Sequence, residues 1–529
     1  MLNKIRECKN FFVYLHYKRD SMKYVLRPKQ IEAVDKIDKF ILNPKKNHGL
    51  FIYPTSFGKS LIIANLASKY PNKFFINVTN SKELLRQNYE KFTSYGAEAS
   101  ICSSSLKEIE VGKVTFATIG TLIKFTDFFE TKEVIIIDDE AQEGSAKGSQ
   151  LDKFTKKLKN YKLVGISATP FRLSQGMDGT SLKMMNRDRK CIYKSIEDVV
   201  QISEVVSQGY WSPLIYDIRD MDESSLQLNT SGTDYTDTSV KVYQELNDVN
   251  NLIIEEVKKL IKSGRESILI SVPFIADALE IESKLDSCRA VYSGMDTKDR
   301  DEVVSSFKAL KIRVVVQCKI LTVGFDHSRL DCIVLAKPSN SLTFYYQFLG
   351  RGVRIDPNKK DCLVVDFSGN CERFGKVETI TIENQDITKG WAVFNKNILL
   401  SNYPLNTNNR PTRESLLQKI NWEKDIRDNT VDIKKVDVAF YFGRYKNKKV
   451  SEVLKENKSY LTWILDQKDF NWYGENGYRL KQCIQRHLGV FIEEQKLPAK
   501  TSGKFENNRN LIQNYTDNIK TIADLNNLW

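Results

Sequence analysis

Short runs of aliphatic and β-branched residues alternate with longer stretches of helical periodicity in the first part of the chain. Polar or glycine-containing turns bound these runs, and the predicted strands cover residues 49–53, 73–79, 113–118, 134–138 and 162–167. Such alternation is typical of a parallel sheet whose strands are joined by helices. The pattern predicts a first α/β domain over residues 22–215, preceded by an N-terminal extension over residues 1–21.

The same alternation returns further along the chain. Residues 216–246 are acidic, rich in Ser and Thr and poor in large aliphatics, and we interpret them as a linker or surface insertion. A second α/β block is predicted over residues 247–400. Its expected elements are a helix at 276–285 and strands at 267–272, 290–292, 313–318, 332–336 and 361–367. The predicted fold class is therefore α/β, with two tandem lobes built on parallel sheets.

The hydrophobic pattern loosens after the second block. Residues 401–435 include a segment rich in Asn, Pro and Thr, which predicts a linker. Residues 436–529 are expected to form a small C-terminal accessory domain. The candidate core aromatics of that domain are Phe440, Phe442, Tyr445, Tyr460, Trp463 and Trp472.

The charge and the cysteine spacing of the chain limit which binding partners and which cellular compartment are expected. Lys and Arg number 80 against 67 Asp and Glu, a net charge of +13, which favours a polyanionic partner, although a generic basic surface gives the same excess. No apolar run approaches the roughly 18 residues of a membrane span. The nine cysteines form no C-x-x-C pair. Neither a zinc knuckle nor a disulfide framework is therefore expected, and the chain is predicted to work in a reducing, intracellular compartment.

A phosphate-binding loop is predicted between the first strand and the helical run that follows it. In such a loop, backbone N–H groups and the positive end of the helix surround phosphate groups. Lys59 would reach the β- and γ-phosphates, and Ser60 would hold Mg²⁺. Tyr53 departs from the usual pattern, which begins with a small residue. The loop residues are Pro54, Thr55, Ser56, Phe57, Gly58, Lys59 and Ser60.

Carboxylates follow an apolar strand about 80 residues beyond this loop. The strand ends in Asp138, and Asp139 and Glu140 come directly after it. Ligands of parallel α/β sheets bind at the carboxyl ends of strands. A metal-binding Asp139 beside a Glu140 that polarises water is what hydrolysis of a phosphoanhydride requires. The loop and the carboxylates together predict an ATP-hydrolysing site.

The order of these motifs resembles the superfamily 2 helicases, in the branch of restriction-enzyme translocases and phage recombination helicases. A segment upstream of the loop is similar to the family's adenine-reading element, and residues 139–142 resemble its DEAD/DEAH box with a final Gln. Residues 79–87 and 118–122 are similar to its strand-contacting motifs, and residues 167–169 match its Ser-Ala-Thr motif. The resemblance implies nucleotide binding by Arg27 and Gln30, and coupling of hydrolysis to movement by Gln142, Ser167 and Thr169.

The second block carries the matching motifs of that family. Residues 321–326 resemble motif five, which touches both nucleic acid and nucleotide, and residues 347–354 match motif six. The resemblance implies two RecA-like lobes with ATP between them. It implies nucleotide contacts by Gly324, Asp326 and Gln347, and catalytic arginine fingers at Arg351 and Arg354.

The tail has a resemblance of its own. Residues 442–463 are similar to the C-terminal module of exodeoxyribonuclease X-like proteins, a glycine-basic turn followed by a Tyr-Leu-x-Trp helix. Basic residues interleaved with aromatics suit backbone contact and base stacking. The alternative is that the aromatics form the core of the module. We recognise no metal-binding carboxylate constellation there, so the expectation is an accessory DNA-binding domain without nuclease activity.

The resemblance as a whole implies an ATP-dependent DNA helicase or translocase that uses ATP and Mg²⁺. Its expected partner is single-stranded, forked or branched DNA, in replication, recombination or repair, together with proteins of those processes and without a membrane. The open alternatives are an RNA helicase, a double-stranded DNA translocase and the motor subunit of a restriction-type complex. The composition, rich in Lys and Asn, and the branch resemblance together suggest a phage or bacterial origin, and an intracellular, cytoplasmic location is expected.

Overall fold

The computed structural model of the protein describes residues 25–176, 179–320, 325–403, 410–427, 437–441, 443–466 and 475–488. The chain divides into two compact units, one ending at Leu416 and the other beginning at Leu417. The first unit contains two α/β lobes, and the second contains the tail module. No helix within the described ranges is long and apolar enough to cross a membrane.

The first lobe is built on a sheet with the strand order β10-β1-β7-β6-β2-β5-β3-β4, parallel except where β4 pairs with β3. β8 and β9 form a separate antiparallel hairpin. The strands are β1 (His48–Ile52), β2 (Phe74–Thr79), β3 (Ser100–Ser103), β4 (Glu108–Ile109), β5 (Val114–Thr118), β6 (Glu133–Asp139), β7 (Asn160–Ser167), β8 (Phe171–Gly176), β9 (Gly179–Met184) and β10 (Ile196–Val199).

Helices cover this sheet, so its central strands are buried on both faces. Ile135, Ile136 and Ile137 of β6 have no exposed area, as expected for a continuous apolar run in a parallel sheet. The Ser81 hydroxyl caps α3 by accepting from Leu84 N. The helices are α1 (Pro28–Leu42), α2 (Lys59–Lys69), α3 (Lys82–Ser94), α4 (Ile119–Leu122), α5 (Thr126–Phe129), α6 (Gln150–Lys157) and α7 (Ile202–Ser207).

The second lobe has a fully parallel sheet with the order β11-β16-β15-β12-β14-β13. An antiparallel sheet, β17-β18-β19, follows it in the chain. The strands are β11 (Leu214–Ile218), β12 (Ile268–Ser271), β13 (Cys288–Tyr292), β14 (Val314–Cys318), β15 (Cys332–Leu335), β16 (Cys362–Asp366), β17 (Ile380–Gln385), β18 (Gly390–Asn395) and β19 (Ile398–Leu399). The helices are α8 (Asp237–Leu246), α9 (Val249–Lys262), α10 (Ile275–Lys284), α11 (Thr297–Lys308), α12 (Leu342–Leu349), α13 (Asn370–Phe374) and α14 (Arg413–Arg427).

The segment 216–246, predicted as a linker or insertion, differs from that expectation because it contains regular structure of the second lobe. β11 pairs with β16 at the edge of the sheet, and its residues are only partly buried, so it lacks the apolar run that marks the central strands. α8 packs on the lobe through Tyr243, whose hydroxyl donates to the Phe367 carbonyl oxygen at 2.7 Å.

The tail module has a small core of its own. Phe440 and Tyr445 are buried in it together with apolar residues of three helices. Trp463, in contrast, is 43% exposed. Phe442 and Trp472, also predicted as core aromatics, lie outside the described residues. The helices are α15 (Val450–Glu456), α16 (Lys458–Asp466) and α17 (Glu475–Leu488).

The predicted fold class is confirmed, with two tandem parallel-sheet lobes of the RecA-like kind. The predicted strands at 49–53 and 73–79 are observed as β1 and β2, displaced by a residue at most at either end. The antiparallel hairpin and the β17-β18-β19 sheet were not predicted; β8, β9 and β17 have no continuous apolar run.

Candidate active site

The loop between β1 and α2 carries the predicted phosphate-binding residues at the carboxyl end of the sheet. Gly58 precedes α2 with a φ of 90°, a conformation that residues with a Cβ rarely adopt. A Cβ on Gly58 would also lie 2.3 Å from Gln30 Nε2. The position therefore requires glycine for two reasons. α2 begins at Lys59, so its first N–H groups are available to an anion at this end.

An arginine and a tyrosine form a flat wall beside the loop. The Arg27 guanidinium lies 4.2 Å from the ring centroid of Tyr210, and both residues line the same cavity. Gln30 is buried behind them, where its Nε2 donates to the Phe57 carbonyl oxygen at 2.7 Å and its Oε1 accepts from Arg27 N at 2.9 Å. Gln30 thus braces the loop, and the planar groups that line the cavity beside the phosphate loop are those of the half-buried Arg27 and Tyr210.

The predicted catalytic groups of the first lobe meet where β6 ends. Lys59 Nζ lies 3.0 Å from Glu140 Oε1 and 3.9 Å from Asp139 Oδ1. Asn88 of α3 donates from Nδ2 to Asp139 Oδ2 at 2.8 Å. Glu140 adopts a left-handed φ of 57°. Such a conformation is costly for a residue other than glycine, and it occurs where a site imposes its own geometry.

Burial and neighbouring charges set the ionisation of these groups. Burial lowers the pKa of Lys59, but Glu140 and Asp139 outweigh it, so the lysine pKa lies above its ordinary value. Burial raises the pKa of Glu140, but Lys59 and the Gln142 amide outweigh it, and the pKa falls below its usual range. At Asp139 burial dominates and the pKa is raised. Lys59 therefore stays cationic, and Glu140 stays ionised, as a base must be.

Two arginines of the second lobe face the carboxylates across the cleft. Arg351 Nη1 donates to the Phe325 carbonyl oxygen at 2.7 Å, and Arg354 Nε lies 2.7 Å from Asp326 Oδ1. Burial, followed by the charge of Arg354, lowers the pKa of Arg351 to about 9. A cation this poorly solvated gains more than an exposed one when an anion arrives. The arginines are thus suited to stabilise a phosphate.

Asp326 connects the two lobes. Its carboxylate pairs with Arg354 in the second lobe and with Lys91 on α3 of the first. Burial raises the pKa of Asp326, but Arg354 and Lys91 outweigh it and hold that pKa at about 2. Gln87 Nε2, also on α3, donates to the same carboxylate at 3.4 Å.

These groups surround a cavity of about 330 Å³ between the lobes. Pro54 lies beside a different, smaller pocket, and Gln30 and Phe57 stand behind the cavity wall. Gly324 lies outside the described residues. The predicted site residues that line the cavity are Arg27, Thr55, Ser56, Gly58, Lys59, Ser60, Asp139, Glu140, Asp326, Gln347, Arg351 and Arg354.

A chain of hydrogen bonds leads from Glu140 to the second lobe through the three predicted coupling residues. Gln142 Nε2 donates to Glu140 Oε2 at 2.7 Å, and the Ser167 hydroxyl donates to Gln142 Oε1 at 2.6 Å. Thr169 N donates to Ser167 Oγ at 3.0 Å. Gln347 Nε2, on α12, donates to Thr169 Oγ1 at 3.4 Å. Gln142, the final residue of the box, therefore links the position of Glu140 to that of Ser167.

The lining of the cavity fits a magnesium nucleotide. The Ser56 hydroxyl is buried there, with no hydrogen-bond partner among the described residues. Such an orphaned group is available to a phosphate oxygen. Ser60 and Asp139 offer hydroxyl and carboxylate oxygens, the ligands that Mg²⁺ prefers.

Several residues of the cavity were not predicted. Asn88 and Lys91 lie on α3 and Tyr210 follows α7, while Gln87, the last residue of a predicted strand-contacting motif, lines the cavity instead. The helical spacing of the α3 residues was available in the sequence, but nothing in it marked which face of α3 meets the cavity. Tyr210 is brought to Arg27 only by the fold.

An open groove of about 640 Å³ lies on the first lobe, separate from the cavity. It brings together the two segments predicted as strand-contacting motifs. Its lining includes Asn80, Ser81, Lys82, Ser105, Thr118 and Gly120. The lining also contains Glu83, which lies 4.0 Å from Lys82. The hydroxyl and amide groups are of the kind that contacts a sugar-phosphate backbone.

Family comparisons agree with this arrangement. Residues 23–172 match the model of the type III restriction enzyme res subunit, and residues 251–356 match the helicase conserved C-terminal domain. Residues 440–469 match the exodeoxyribonuclease X-like C-terminal model.

Individual proteins are similar to the chain over its two lobes. A Saccharomyces cerevisiae protein bearing the name ATP-dependent helicase IRC3 is 27% identical over 372 residues, 65% of this chain and 52% of the yeast protein. A 51.5 kDa protein of a Lactococcus phage is 22% identical over 332 residues, 62% of this chain and 67% of its own. The match thus spans about half the length of the yeast protein.

A solved structure shares the fold. It is a fragment of an HsdR subunit of a type I restriction enzyme from Vibrio vulnificus, with a TM-score of 0.50 and 18% identity, covering 67% of this chain and 66% of that one. Both helicase domain models match in order over the two parallel-sheet lobes, which supports a superfamily 2 helicase related to restriction-enzyme translocases.

Proposed function

We propose that the protein is an ATP-dependent DNA helicase or translocase, which couples ATP hydrolysis to movement along DNA. The observation that carries the proposal is the cavity between the lobes. One wall presents Lys59, Asp139 and Glu140, and the other presents Arg351 and Arg354. Phosphoryl transfer needs positioning and charge stabilisation from both sides of the reacting phosphate, and this arrangement supplies both.

Hydrolysis follows from what each side chain can do. The nucleotide phosphates bind against the loop and the start of α2, and Lys59 turns from Glu140 to the γ-phosphate. Glu140, ionised by its surroundings, accepts a proton from the attacking water. Arg351 and Arg354 stabilise the negative charge on the transferring phosphoryl group. Mg²⁺, when bound by Ser60 and Asp139, supplies charge neutralisation on the β- and γ-phosphate oxygens.

Coupling to movement follows the hydrogen-bond chain from Glu140 to α12. Loss of the γ-phosphate changes what Glu140 contacts, and Gln142 and Thr169 pass the change to Gln347 of the second lobe. Asp326 and Lys91 separate or meet as the lobes open or close. Alternate opening and closing moves the two strand contacts relative to each other.

DNA is the proposed track for three reasons. The chain has a net charge of +13, which favours a polyanion. The groove of the first lobe offers groups suited to a sugar-phosphate backbone. The tail matches a module named for deoxyribonuclease-like proteins. We infer a role in unwinding or remodelling forked or branched DNA during recombination, repair or replication.

A restriction-type motor is the second candidate, because residues 23–172 match the type III restriction enzyme res subunit. In that case the motor would run on duplex DNA and act with a separate nuclease. Equal or greater stimulation of turnover by linear duplex than by branched DNA would favour this candidate.

Substitution of Lys59 tests the catalytic site. Lys59→Ala removes the cation that binds the γ-phosphate, so ATP turnover should fall about 100-fold or more. Lys157→Ala, an exposed lysine of α6, is the matched control and should keep wild-type turnover. Phosphate release measured with saturating DNA gives both rates. Turnover retained by Lys59→Ala would rule out the proposed site.

The track is identified by measuring ATP turnover with single-stranded DNA, linear duplex, a four-way junction and RNA in parallel. Greatest stimulation by forked or four-way DNA is the expected result. Stimulation by RNA alone would refute the DNA assignment while leaving the motor and its residues intact.

A further inference from the structure

The tail module brings together three side chains that can ligate a metal ion. Cys483 and His487 lie one turn apart on α17, and Asp437 lies at the start of the described module. Residues four positions apart share one face of a helix. Cys483 is buried, whereas the His487 and Asp437 side chains are 19% and 25% exposed. The ligand atoms all lie within 4.8 Å of one another.

Two of the separations are close to those of a tetrahedral site, and Cys483 Sγ lies 3.7 Å from His487 Nδ1. Asp437 Oδ1 lies 3.8 Å from Cys483 Sγ and 3.7 Å from His487 Nε2. Bonds of about 2.3 Å to sulfur and about 2.0 Å to nitrogen or oxygen, at tetrahedral angles, put neighbouring ligand atoms about 3.3–3.5 Å apart. A contraction of about 0.3 Å would bring these two pairs to that distance.

Surrounding groups hold the three side chains in a form suited to metal binding. His487 Nδ1 lies 2.9 Å from the Cys483 carbonyl oxygen, which places the proton on Nδ1 and leaves the lone pair on Nε2, the atom that faces Asp437. Metal-ligating histidines usually donate their second N–H to such an acceptor. Val438 N donates to Cys483 Sγ at 3.3 Å, and Ser451 N donates to Asp437 Oδ1 at 3.1 Å. Both bonds hold the two acceptor atoms in place.

We propose that Asp437, Cys483 and His487 bind Zn²⁺, with water at the fourth, solvent-facing position. A thiolate and an imidazole select Zn²⁺ over Mg²⁺, which prefers oxygen ligands. The ion links the chain that enters the module to α17, so its role is to stabilise the tail. The proposed ligands are a Cys and a His four positions apart and an Asp 46 positions before the Cys. A search for C-x-x-C pairs in the sequence therefore does not detect this site.

Metal analysis of the full chain tests this site. The protein purified without chelator is expected to contain about one equivalent of zinc, and Co²⁺ should replace it with a thiolate-to-cobalt absorption band. Cys483→Ser should abolish the band. His487→Asn should weaken Zn²⁺ binding about 100-fold or more, since even residues that only orient ligands change affinity about 10- to 100-fold. Cys102→Ser, which changes a buried thiol of β3, is the matched control and should keep both signals.

Two outcomes would overturn the proposal. One is the absence of stoichiometric zinc in a protein that also fails to bind added Zn²⁺. The other is a cobalt band that survives Cys483→Ser, which would locate the thiolate ligand elsewhere. If Cys483→Ser fails to fold, the partly exposed His487 provides the test, with circular dichroism to verify that His487→Asn is folded.

Discussion

The consecutive carboxylates at the end of β6 have different surroundings and therefore different charge states. Glu140 lies against Lys59 and stays ionised. Asp138 has no cation at hydrogen-bond distance among the described residues, and it accepts a hydrogen bond from the buried Tyr193 hydroxyl at 2.8 Å. Burial raises the pKa of Asp138 to about 7, only partly offset by Tyr193. The protein thus buries a carboxyl group that is protonated in mildly acidic solution.

The substitution Asp138→Asn should give a pH-dependent gain in stability. The folded pKa of about 7 exceeds the ordinary 3.8, so the stabilising contribution of the protonated group is complete below pH 3.8 and is lost as pH rises through 7. The amide of the variant carries no charge and should avoid that loss. The free energy of unfolding of the variant should therefore exceed that of the wild type by up to about 4 kcal/mol at pH 8 and by much less at pH 5. Tyr193 can still donate to the amide oxygen.

Thermal unfolding of both proteins without nucleotide, from pH 5 to pH 8, measures this effect. The other carboxylates are the same in both proteins, so their titration largely cancels in the difference. A stability difference that is constant with pH would contradict the assigned ionisation of Asp138.

At the scale of elements, the strand ends and α12 form one connected unit. β6 supplies the carboxylates, β7 ends at Ser167, and α12 supplies Gln347, whose amide reaches Thr169 across the cleft. The connection from Gln142 to Gln347 is made entirely by neutral groups. It can therefore break and re-form without leaving a buried charge, which is costly. This property suits a link that must open in each cycle.

Substitution at Gln347 should separate hydrolysis from coupling. Gln347→Ala removes the link to Thr169 and leaves Lys59, Glu140, Arg351 and Arg354 in place. We expect the stimulation of ATP turnover by DNA to fall about 10-fold, with DNA-independent turnover changed less. Gln208→Ala, an exposed glutamine that follows α7, is the matched control. Equal losses with and without DNA would show that Gln347 acts in hydrolysis alone.

The predictability of each element depends on its burial. β6 and β14 are buried on both faces, and their apolar runs identified them from the sequence. β11 is a partly buried edge strand, and its residues could not be told from a linker. In the candidate active site, motif order predicted Lys59 and Arg351, which line the cavity, whereas Tyr210 is joined to Arg27 by tertiary packing alone. The metal-ligating cluster of the tail was missed for the same reason.

At the scale of the whole molecule, the candidate active site and the tail module lie in different compact units. The first contains the nucleotide cavity and the groove, and the second is a separate module with its own core. Phe440 and Tyr445 are used in that core, which leaves Trp463 of α16 exposed at 43%. Tyr441 is exposed to a similar extent, 42%, and the larger ring of Trp463 makes it our choice among the described aromatics for stacking on a base.

Substitution of Trp463 should weaken DNA binding without affecting basal hydrolysis. Stacking of one base contributes about 1–3 kcal/mol, so Trp463→Ala should raise the Kd of the full chain for single-stranded DNA about 5- to 100-fold. Trp463→Phe should recover part of the loss. Leu252→Ala, an exposed apolar residue of α9, is the control. Fluorescence anisotropy gives the affinities, and an unchanged Kd for Trp463→Ala would exclude this contact.

The ion pair between Lys59 and Glu140 determines when Glu140 is available to accept a proton. The two groups neutralise each other at 3.0 Å, so the proposed base is paired with the cation that the phosphate must capture. We infer that nucleotide binding is an exchange of counter-ions, in which the arriving anion takes Lys59 and thereby releases Glu140 to meet water. Glu140, the proposed proton acceptor, then becomes available only when a nucleotide is bound.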